Sequence, residues 1–140
     1  SDSAGVLFLR LLNIPVAIIT GENTQIVQRR GDKLKIEHIH LGIKDKVGIA
    51  ENIINELGIS FDEVAYIGDD INDILLLQKV GYSASPFNAP DYVKKHAKIH
   101  LKKSGGDGAF REFVEYMLKE NNKMDVVLDK YFESLNKFSQ

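Results

Sequence analysis

The sequence predicts an α/β fold built on a doubly wound parallel sheet with helices on both faces. Short apolar runs bounded by turn residues alternate along the chain with longer segments of helical periodicity. Such alternation is typical of parallel sheets whose strands are joined by right-handed helical crossovers. One apolar run ends at Gly68 and is followed by three carboxylates, Asp69, Asp70 and Asp73. Because open α/β sheets place their ligands at the carboxyl ends of strands, this acidic turn also indicates a Rossmann-like arrangement.

Apolar, partly β-branched runs predict five strands, and helical spacing of apolar residues predicts the segments between them. The predicted strands are residues 15–19, 36–40, 64–67, 81–84 and 98–101. The predicted helices are residues 3–13, 23–34, 72–79 and 108–119, a helix capped by Asp45 and ended by Gly58, and a short helix after Pro90. Ser60 and Glu63 have the spacing of a capping box and predict a very short helix before the third strand.

The composition is that of one ordinary globular domain. The chain has 140 residues, of which 44% are hydrophobic and 27% are charged. A formal net charge of -2 does not indicate binding to nucleic acid or to an anionic membrane, and the apolar runs are too short to span a bilayer. The lack of cysteine excludes disulfides and thiolate metal sites and fits a reducing compartment. Since no basic-then-apolar leader starts the sequence, we expect a cytoplasmic protein.

The acidic turn has two interpretations, capping of the following helix or a site for a cation. One Asp before a helix needs no role beyond an N-cap and a favourable charge in the first turn. Three carboxylates behind one glycine repel one another unless positive charge lies among them, and hard oxygen ligands suit Mg²⁺. The sequence therefore favours a metal or phosphate site over capping alone.

Two other turns carry groups that can bind phosphate. Thr20 and Gly21 follow the first predicted strand, and Lys46 begins a helix. A hydroxyl and a backbone N–H can donate to phosphate oxygens, and a lysine can neutralise them. Each is weak evidence alone, since Thr ends many strands and Lys is most often solvated. Because the turns after parallel strands lie side by side, we expect these groups to face the acidic turn.

The order Thr20, Lys46 and Gly68-Asp-Asp-Ile-Asn-Asp73 resembles the haloacid dehalogenase superfamily of phosphatases. Thr20 matches the strand-terminal residue of the second motif of the superfamily, and Lys46 matches the lysine of the third motif. The acidic turn matches the fourth motif. Within the superfamily the chain looks like the small, capless sugar-acid phosphatases, which act on 3-deoxy-D-manno-octulosonate 8-phosphate or 2-keto-3-deoxynononate 9-phosphate. Further matching stretches are residues 1–5, 20–24, 64–70 and 105–113. The resemblance implies a phosphatase domain over residues 1–120, followed by a C-terminal amphipathic helix at residues 121–140.

One motif of the family is absent from the sequence. The first strand of the family carries Asp-x-Asp-Gly, whose aspartates are the nucleophile and the general acid, and residues 1–140 contain no such motif. In the family this strand lies at the centre of the sheet, so its loss would expose two strand edges. We therefore expect an N-terminal piece of the protein to precede the printed sequence and to supply that strand.

The resemblance implies a magnesium-dependent phosphoryl transfer in two steps. The missing aspartate would attack phosphorus, and water would then hydrolyse the aspartyl-phosphate. Asp69 would be the Mg²⁺ ligand, while Asp70 and Asp73 would orient metal-bound water and Lys46. The resemblance implies that Thr20 and the N–H of Gly21 hold a phosphate oxygen. Asn72 could contact phosphate or sugar, and the alternative is an ordinary residue at the start of a helix.

The resemblance also bears on substrate length and assembly. In the nine-carbon branch of the family a Glu after the second motif and a downstream Arg and Lys are diagnostic, and these match Glu22, Arg30 and Lys33. This implies that the nine-carbon 9-phosphate is favoured over the eight-carbon 8-phosphate, whereas the alternative is a solvated helix face. Family members are commonly homotetramers. The helix predicted after Lys123 has an apolar stripe that can pack on its own domain or on a neighbouring subunit.

Two other classes of protein remain open. A phosphoacceptor receiver domain also has Asp, Thr and Lys at strand ends, but its Lys comes last, whereas Lys46 precedes the acidic turn. A catalytically silent binding domain, such as the one fused to some nonulosonate cytidylyltransferases, would also lack the first motif. An Asp-x-Asp-Gly segment upstream would favour the enzyme. The four histidines are too scattered for a zinc site.

Overall fold

Five parallel strands with helices on both faces form the frame of the molecule. The structure is a computed structural model and describes residues 2–139, so Ser1 and Gln140, at the ends of two predicted segments, lie outside it. The strands are β1 (Ala17–Ile19), β2 (His38–His40), β3 (Ala65–Ile67), β4 (Tyr82–Ser85) and β5 (Ile99–His100). The helices are α1 (Asp2–Leu11), α2 (Gln25–Lys33), α3 (Lys46–Leu57), α4 (Ile74–Lys79), α5 (Asp91–Lys94), α6 (Ala109–Glu120) and α7 (Met124–Ser139), with 3₁₀ turns at Phe61–Glu63 and Ile71–Asp73. The predicted strands and helices are confirmed, with small differences at their boundaries.

The strands form two parallel sheets rather than one continuous sheet. β1 pairs with β2, and β3, β4 and β5 pair in that order. No strand within residues 2–139 pairs with the second edge of β1 or with the second edge of β3. Ala17 and Ala65, the first residues of these two apolar strands, are exposed. The first residues of β1 and β3 are thus less covered than is usual for strands of a parallel sheet.

Two helical layers join the sheets. On one face, α3 and α4 pack through Ala50, Leu76 and Val80, and this cluster also contacts Ile19 of β1 and Tyr66 of β3. On the opposite face, the buried residues shared by α1, α6 and α7 are Leu9, Val114, Leu118 and Val127. A fully buried aliphatic side chain of this size contributes about 1.5–3 kcal/mol to folding, so these clusters hold the two sheets against each other.

Local capping explains where the helices near the site begin and end. Thr24 and Asp45 each accept a backbone N–H from the first turn of the helix that follows, at 3.4 and 2.9 Å. α3 ends at Gly58, whose φ of 71° lies in the left-handed region that favours glycine. The capping box predicted at Ser60 and Glu63 is present. α2 and α3 therefore both start in turns at the carboxyl edge of the sheet.

The C-terminal helix α7 packs on its own domain through part of its surface. Val127 is fully buried in the cluster with α1 and α6, and Met124 contacts the same cluster. Leu128, Phe132 and Leu135 are exposed. The division of the chain at residue 120 stays a prediction. Neither α7 nor any other helix within residues 2–139 is long and apolar enough to cross a lipid bilayer.

Candidate active site

Asp73 organises the acidic turn. The residue is buried, with 2% of its surface exposed. Its Oδ2 accepts the backbone N–H groups of Asp69 and Asp70 at 2.9 and 3.0 Å, and its Oδ1 accepts from Lys46 Nζ at 2.6 Å and from the Tyr66 hydroxyl. These donors satisfy a carboxylate that would otherwise be costly to bury. The turn is therefore folded around Asp73.

Lys46 is held beside the turn by an ion pair with Asp73. It is the first residue of α3 and is 8% exposed. A buried ammonium needs a close counter-ion, and the Asp73 carboxylate supplies one. The charge of Lys46 is thereby fixed next to the turn, where it can neutralise a phosphate.

Tyr66 is a member of the site that the motifs did not indicate. It lies on β3, and its hydroxyl shares Asp73 Oδ1 with Lys46. Burial, together with the negative charge of Asp73, raises the pKa of Tyr66. The phenol therefore stays protonated and remains a donor. A tyrosine in a strand shows no sign of this role in the sequence, because its partner is seven residues away across a turn.

Asp69 and Asp70 are both exposed, whereas Asp73 is buried. Partial burial, followed by the charges of Asp73 and Asp70, raises the pKa of Asp69, whereas Lys46 lowers it. Burial is the largest cause, and the contributions of Asp73 and Asp70 show that negative charge also surrounds Asp69. Asp70 instead caps the next turn, since its Oδ1 accepts the N–H of Ile71 at 2.7 Å.

The acidic turn fits a magnesium ion through Asp69. Within residues 2–139, no group of three or more His, Asp or Glu side chains is arranged as a metal site. Mg²⁺ in enzymes commonly takes one or two carboxylates and completes its coordination with water and substrate phosphate. The exposed Asp69 carboxylate, which lies beside the charges of Asp73 and Asp70, matches that pattern. Asp69 is therefore the residue of this chain that would hold the ion.

Thr20 and Gly21 lie close to the acidic turn although they belong to the other sheet. The N–H of Thr20 donates to the carbonyl of His40 at 3.0 Å, and its Oγ1 accepts the N–H of Glu22 at 3.1 Å, so the hydroxyl hydrogen is free to donate. A Cβ on Gly21 would lie 3.2 Å from Asn72 Nδ2. The Gly21 N–H has no partner among the described residues. The two turns thus converge with unused donors between them.

The loop after β5 forms a further wall of the site. A Cβ on Gly105 would lie 4.0 Å from Asp69 Oδ2 and 3.8 Å from Pro86 Cγ. The N–H of Gly105 donates to Asn88 Oδ1 at 2.8 Å. Residues 105–113 matched the family, but their place beside Asp69 follows from the pairing of β3, β4 and β5, which the sequence does not display.

Arg30 and Lys33 lie apart from this group. Both are in the last turn of α2, which runs away from the carboxyl edge, so Arg30 lies roughly 9 Å beyond Thr24 along the helix axis. Lys33 lines a groove of about 400 Å³ with Arg10 and Lys35. Of the three residues matched to the nine-carbon branch, Glu22 alone follows directly on the Thr20 turn.

The frame and the order of motifs on it define a hydrolase of the haloacid dehalogenase-like type. A family model described as haloacid dehalogenase-like hydrolase matches residues 13–113, and the chain belongs to this family. This membership excludes the receiver-domain alternative. The relatives described next are phosphatases, so the chain is placed among the phosphomonoester hydrolases of the family.

The chain is similar to 3-deoxy-D-manno-octulosonate 8-phosphate phosphatases. It is 33% identical over 125 residues to KdsC of Haemophilus influenzae, which covers 89% of this chain and 69% of the relative. It is 32% identical over 124 residues to KdsC of Escherichia coli K12, covering 89% of this chain and 66% of the relative. The chain thus spans about two thirds of the length of these curated relatives.

Solved structures agree with this family assignment. The phosphatase from Moraxella catarrhalis, in complex with a magnesium ion, a phosphate ion and KDO, matches with a TM-score of 0.87 and 34% identity over 93% of this chain and 75% of that one. The cobalt-bound Haemophilus influenzae phosphatase matches with a TM-score of 0.84 and 33% identity over 89% of this chain and 73% of that one. The α/β fold with parallel strands is therefore that of the family.

Proposed function

We propose that this chain forms most of a magnesium-dependent phosphatase that hydrolyses a 2-keto-3-deoxy sugar-acid phosphate through an aspartyl-phosphate. The observation that carries the proposal is the convergence of unused phosphate donors at Thr20 and Gly21 with the fixed charge of Lys46 and the open carboxylate of Asp69. The similarity to KdsC phosphatases supports the substrate class.

Each residue has a role that follows from its contacts. The Thr20 hydroxyl and the Gly21 N–H would donate to phosphate oxygens, and Lys46 would offset the charge of the phosphoryl group. Asp73 keeps Lys46 in place, because their ion pair is buried. Asp69 would hold Mg²⁺, which when bound supplies positive charge for phosphoryl transfer. Asn72 lies beside Gly21 and would contact phosphate or sugar.

The nucleophile would come from a strand of the Asp-x-Asp-Gly type. One parallel strand between β1 and β3 would pair with both free edges, and its carboxyl end would then lie between Thr20 and Asp69. An aspartate there would form a bond to phosphorus as the bond to the sugar oxygen breaks, and the second aspartate would protonate that oxygen. Water would then cleave the acyl phosphate and release inorganic phosphate.

The presence of this strand separates an enzyme from a silent binding domain. We predict that residues 1–140 alone do not turn over an aryl phosphate with Mg²⁺, because Asp70 and Asp73 are committed to hydrogen bonds and Asp69 to the metal. The extended protein, meaning residues 1–140 preceded by an Asp-x-Asp-Gly strand, should be active. Equal turnover by both forms would place the nucleophile within these residues and contradict the proposed site. If the extended protein were also inactive, the silent binding domain would be favoured.

We further propose a preference for the nine-carbon 9-phosphate and assembly as a homotetramer. Glu22, exposed next to the Thr20 turn, can accept hydrogen bonds from the longer polyol chain. Arg30 and Lys33 are exposed and distant from the acidic turn, so a contribution from them would require a second copy of the chain beside the site. A shorter substrate would leave such groups unpaired at about 1–3 kcal/mol each, which corresponds to a loss of kcat/KM of roughly 5- to 150-fold.

The test compares kcat/KM of the extended protein for the nine-carbon and eight-carbon substrates. We expect the nine-carbon substrate to be preferred and Glu22→Ala to reduce that preference. Glu56→Ala, which removes an exposed carboxylate near the end of α3, is the matched control and should change neither value. Equal kcat/KM values for the two substrates, or a higher value for the eight-carbon substrate, would contradict the nine-carbon preference. The activity of the relatives, 3-deoxy-D-manno-octulosonate 8-phosphate phosphatase, would then be favoured.

A further inference from the structure

Glu112 fixes the path of the chain as it leaves β5. Both of its carboxylate oxygens accept the N–H of Lys102 at 3.0 Å, and Oε1 also accepts the N–H of Lys103 at 2.8 Å. Glu112 lies in the first turn of α6 and is half-buried. A carboxylate shared by two successive amides holds that stretch of backbone in one conformation.

The same stretch is bonded to the loop that follows β4. The N–H of Phe87 donates to the carbonyl of Lys103 at 2.9 Å. Further along the same two loops, the N–H of Gly105 donates to Asn88 Oδ1 at 2.8 Å. The loops after β4 and β5 therefore form one hydrogen-bonded unit that is anchored by Glu112. We call this unit the Gly105 wall; it comprises residues 86–88 and 102–105.

The Gly105 wall faces the open carboxylate of the acidic turn. The nearest atoms to a Cβ built on Gly105 are Asn88 Oδ1 at 3.6 Å, Pro86 Cγ at 3.8 Å and Asp69 Oδ2 at 4.0 Å. These are ordinary van der Waals distances, and Gly105 does not have the positive φ of Gly106 or Gly108. Neither crowding nor backbone conformation therefore requires glycine here. What its missing side chain leaves open is the space next to Asp69.

We propose that Glu112 is a positioning residue that holds the Gly105 wall at the distance from Asp69 that admits the sugar-acid part of the substrate. This inference rests on the proposed function. Glu112 acts through the wall, since its carboxylate bonds to the backbone of Lys102 and Lys103 and to neither Asp69 nor Lys46. The wall is thus a specificity element for the organic part of the substrate, separate from the phosphate contacts.

The experiment measures kcat and KM of the extended protein for a 2-keto-3-deoxy sugar-acid phosphate and for a small aryl phosphate. Glu112→Ala should raise KM for the sugar acid by about tenfold or more and change kcat by less than about twofold, because a displaced wall alters binding rather than the reacting groups. The KM for the aryl phosphate should change by less than about twofold, since it lacks the carboxylate and hydroxyl groups of the sugar acid. Glu112→Gln, which keeps one acceptor oxygen, should restore part of the loss.

Two further variants separate this role from simple destabilisation. Glu115→Ala breaks the more exposed pair with Arg111 on the same helix and should leave both substrates unchanged. Gly105→Ala keeps every hydrogen bond of the wall and should nevertheless raise KM for the sugar acid. Amide hydrogen exchange supplies a readout other than activity. In Glu112→Ala the amides of Lys102 and Lys103 should exchange faster than in wild type. In Gly105→Ala their exchange should be unchanged.

Opposite results would overturn the inference. If wild type hydrolyses the sugar-acid phosphate and Glu112→Ala has the same KM, or loses activity equally on both substrates, the positioning role is wrong while the proposed function stands. If wild type hydrolyses the aryl phosphate alone, the proposed substrate class is wrong and the inference falls with it.

Discussion

Removal of the Asp73 carboxylate is expected to be the most damaging single change in the acidic turn. Asp73→Ala deletes the counter-ion of Lys46, whose side chain is 8% exposed, and leaves the N–H groups of Asp69 and Asp70 without their acceptor. It also removes the acceptor of the Tyr66 hydroxyl. The variant therefore creates one uncompensated buried charge and three unpaired donors.

The magnitude follows from the buried ion pair. Breaking a buried pair by removing one partner costs about 3–5 kcal/mol of unfolding free energy, because the remaining charge stays desolvated. Each kcal/mol lowers the melting temperature of a domain of this size by about 3–5 °C, so Asp73→Ala should lower Tm by about 10–20 °C. Asp70→Ala is the matched control. It loses one bond to the N–H of Ile71 on an exposed carboxylate and should cost about 1 kcal/mol.

Urea unfolding of the extended protein provides the measurement. The midpoint should fall in Asp73→Ala with no change in slope, which would show a loss of stability rather than a change in the unfolded state. The double variant Lys46→Met, Asp73→Ala should be more stable than Asp73→Ala, since no buried charge is left without a partner. The reasoning would be refuted if Asp73→Ala were no less stable than Asp70→Ala, or if the double variant lost further stability.

Three further outcomes are expected. One of the five tyrosines should ionise only as the protein unfolds, and Tyr66→Phe should abolish that event, because burial raises the pKa of Tyr66. The folded-state pKa of Tyr66 exceeds the unfolded value of about 10. The contribution of Tyr66 to the free energy of unfolding is therefore complete below that value and is lost as pH rises above it. Alkaline absorbance titration measures the ionisation of the phenol. Burial, and next the repulsion from Asp73 and Asp70, raise the pKa of Asp69. In metal-free protein at neutral pH, Asp69→Asn removes that repulsion and should unfold at a higher urea concentration than wild type. Mg²⁺ should then stabilise wild type and not the variant, and equal stabilisation of both would show that Asp69 does not hold the ion. Gly68→Ala should lower Tm markedly, because its Cβ would lie 2.6 Å from Cβ of Asp73; an unchanged Tm would contradict that packing.

The order of elements could be predicted from the sequence because it depends on local signals. An apolar run ended by glycine predicted β3. The N-cap at Asp45 and the C-cap at Gly58 predicted both ends of α3 to within one residue. The facing of Thr20, Lys46 and the acidic turn was also predictable, since all three begin turns at one edge of a parallel sheet. These inferences need the direction of each strand and not the order of strands in the sheet.

What the sequence did not reveal depends on contacts between distant segments. Gly105 reaches Asp69 because β4 lies between β3 and β5, and no local pattern specifies that pairing. The commitment of Asp73 to Lys46 and Tyr66, rather than to solvent, follows from burial in the folded turn. The resemblance matched Arg30 and Lys33 to the substrate, whereas the direction of α2 carries its last turn away from the acidic turn.

The candidate site joins the two sheets, so its geometry depends on what holds them together. Thr20 belongs to the sheet of β1 and β2, Asp69 to the sheet of β3, β4 and β5, and the Lys46–Asp73 pair spans the boundary between them. Two- and three-stranded sheets are marginal alone, and here the links within residues 2–139 are the helical layers, this pair and the approach of Asn72 to Gly21. A strand between β1 and β3 would add hydrogen bonds along both free edges at the usual spacing of about 4.8 Å. The segment that is proposed to carry the nucleophile would therefore also set the distance between the phosphate donors at Thr20 and the carboxylate of Asp69.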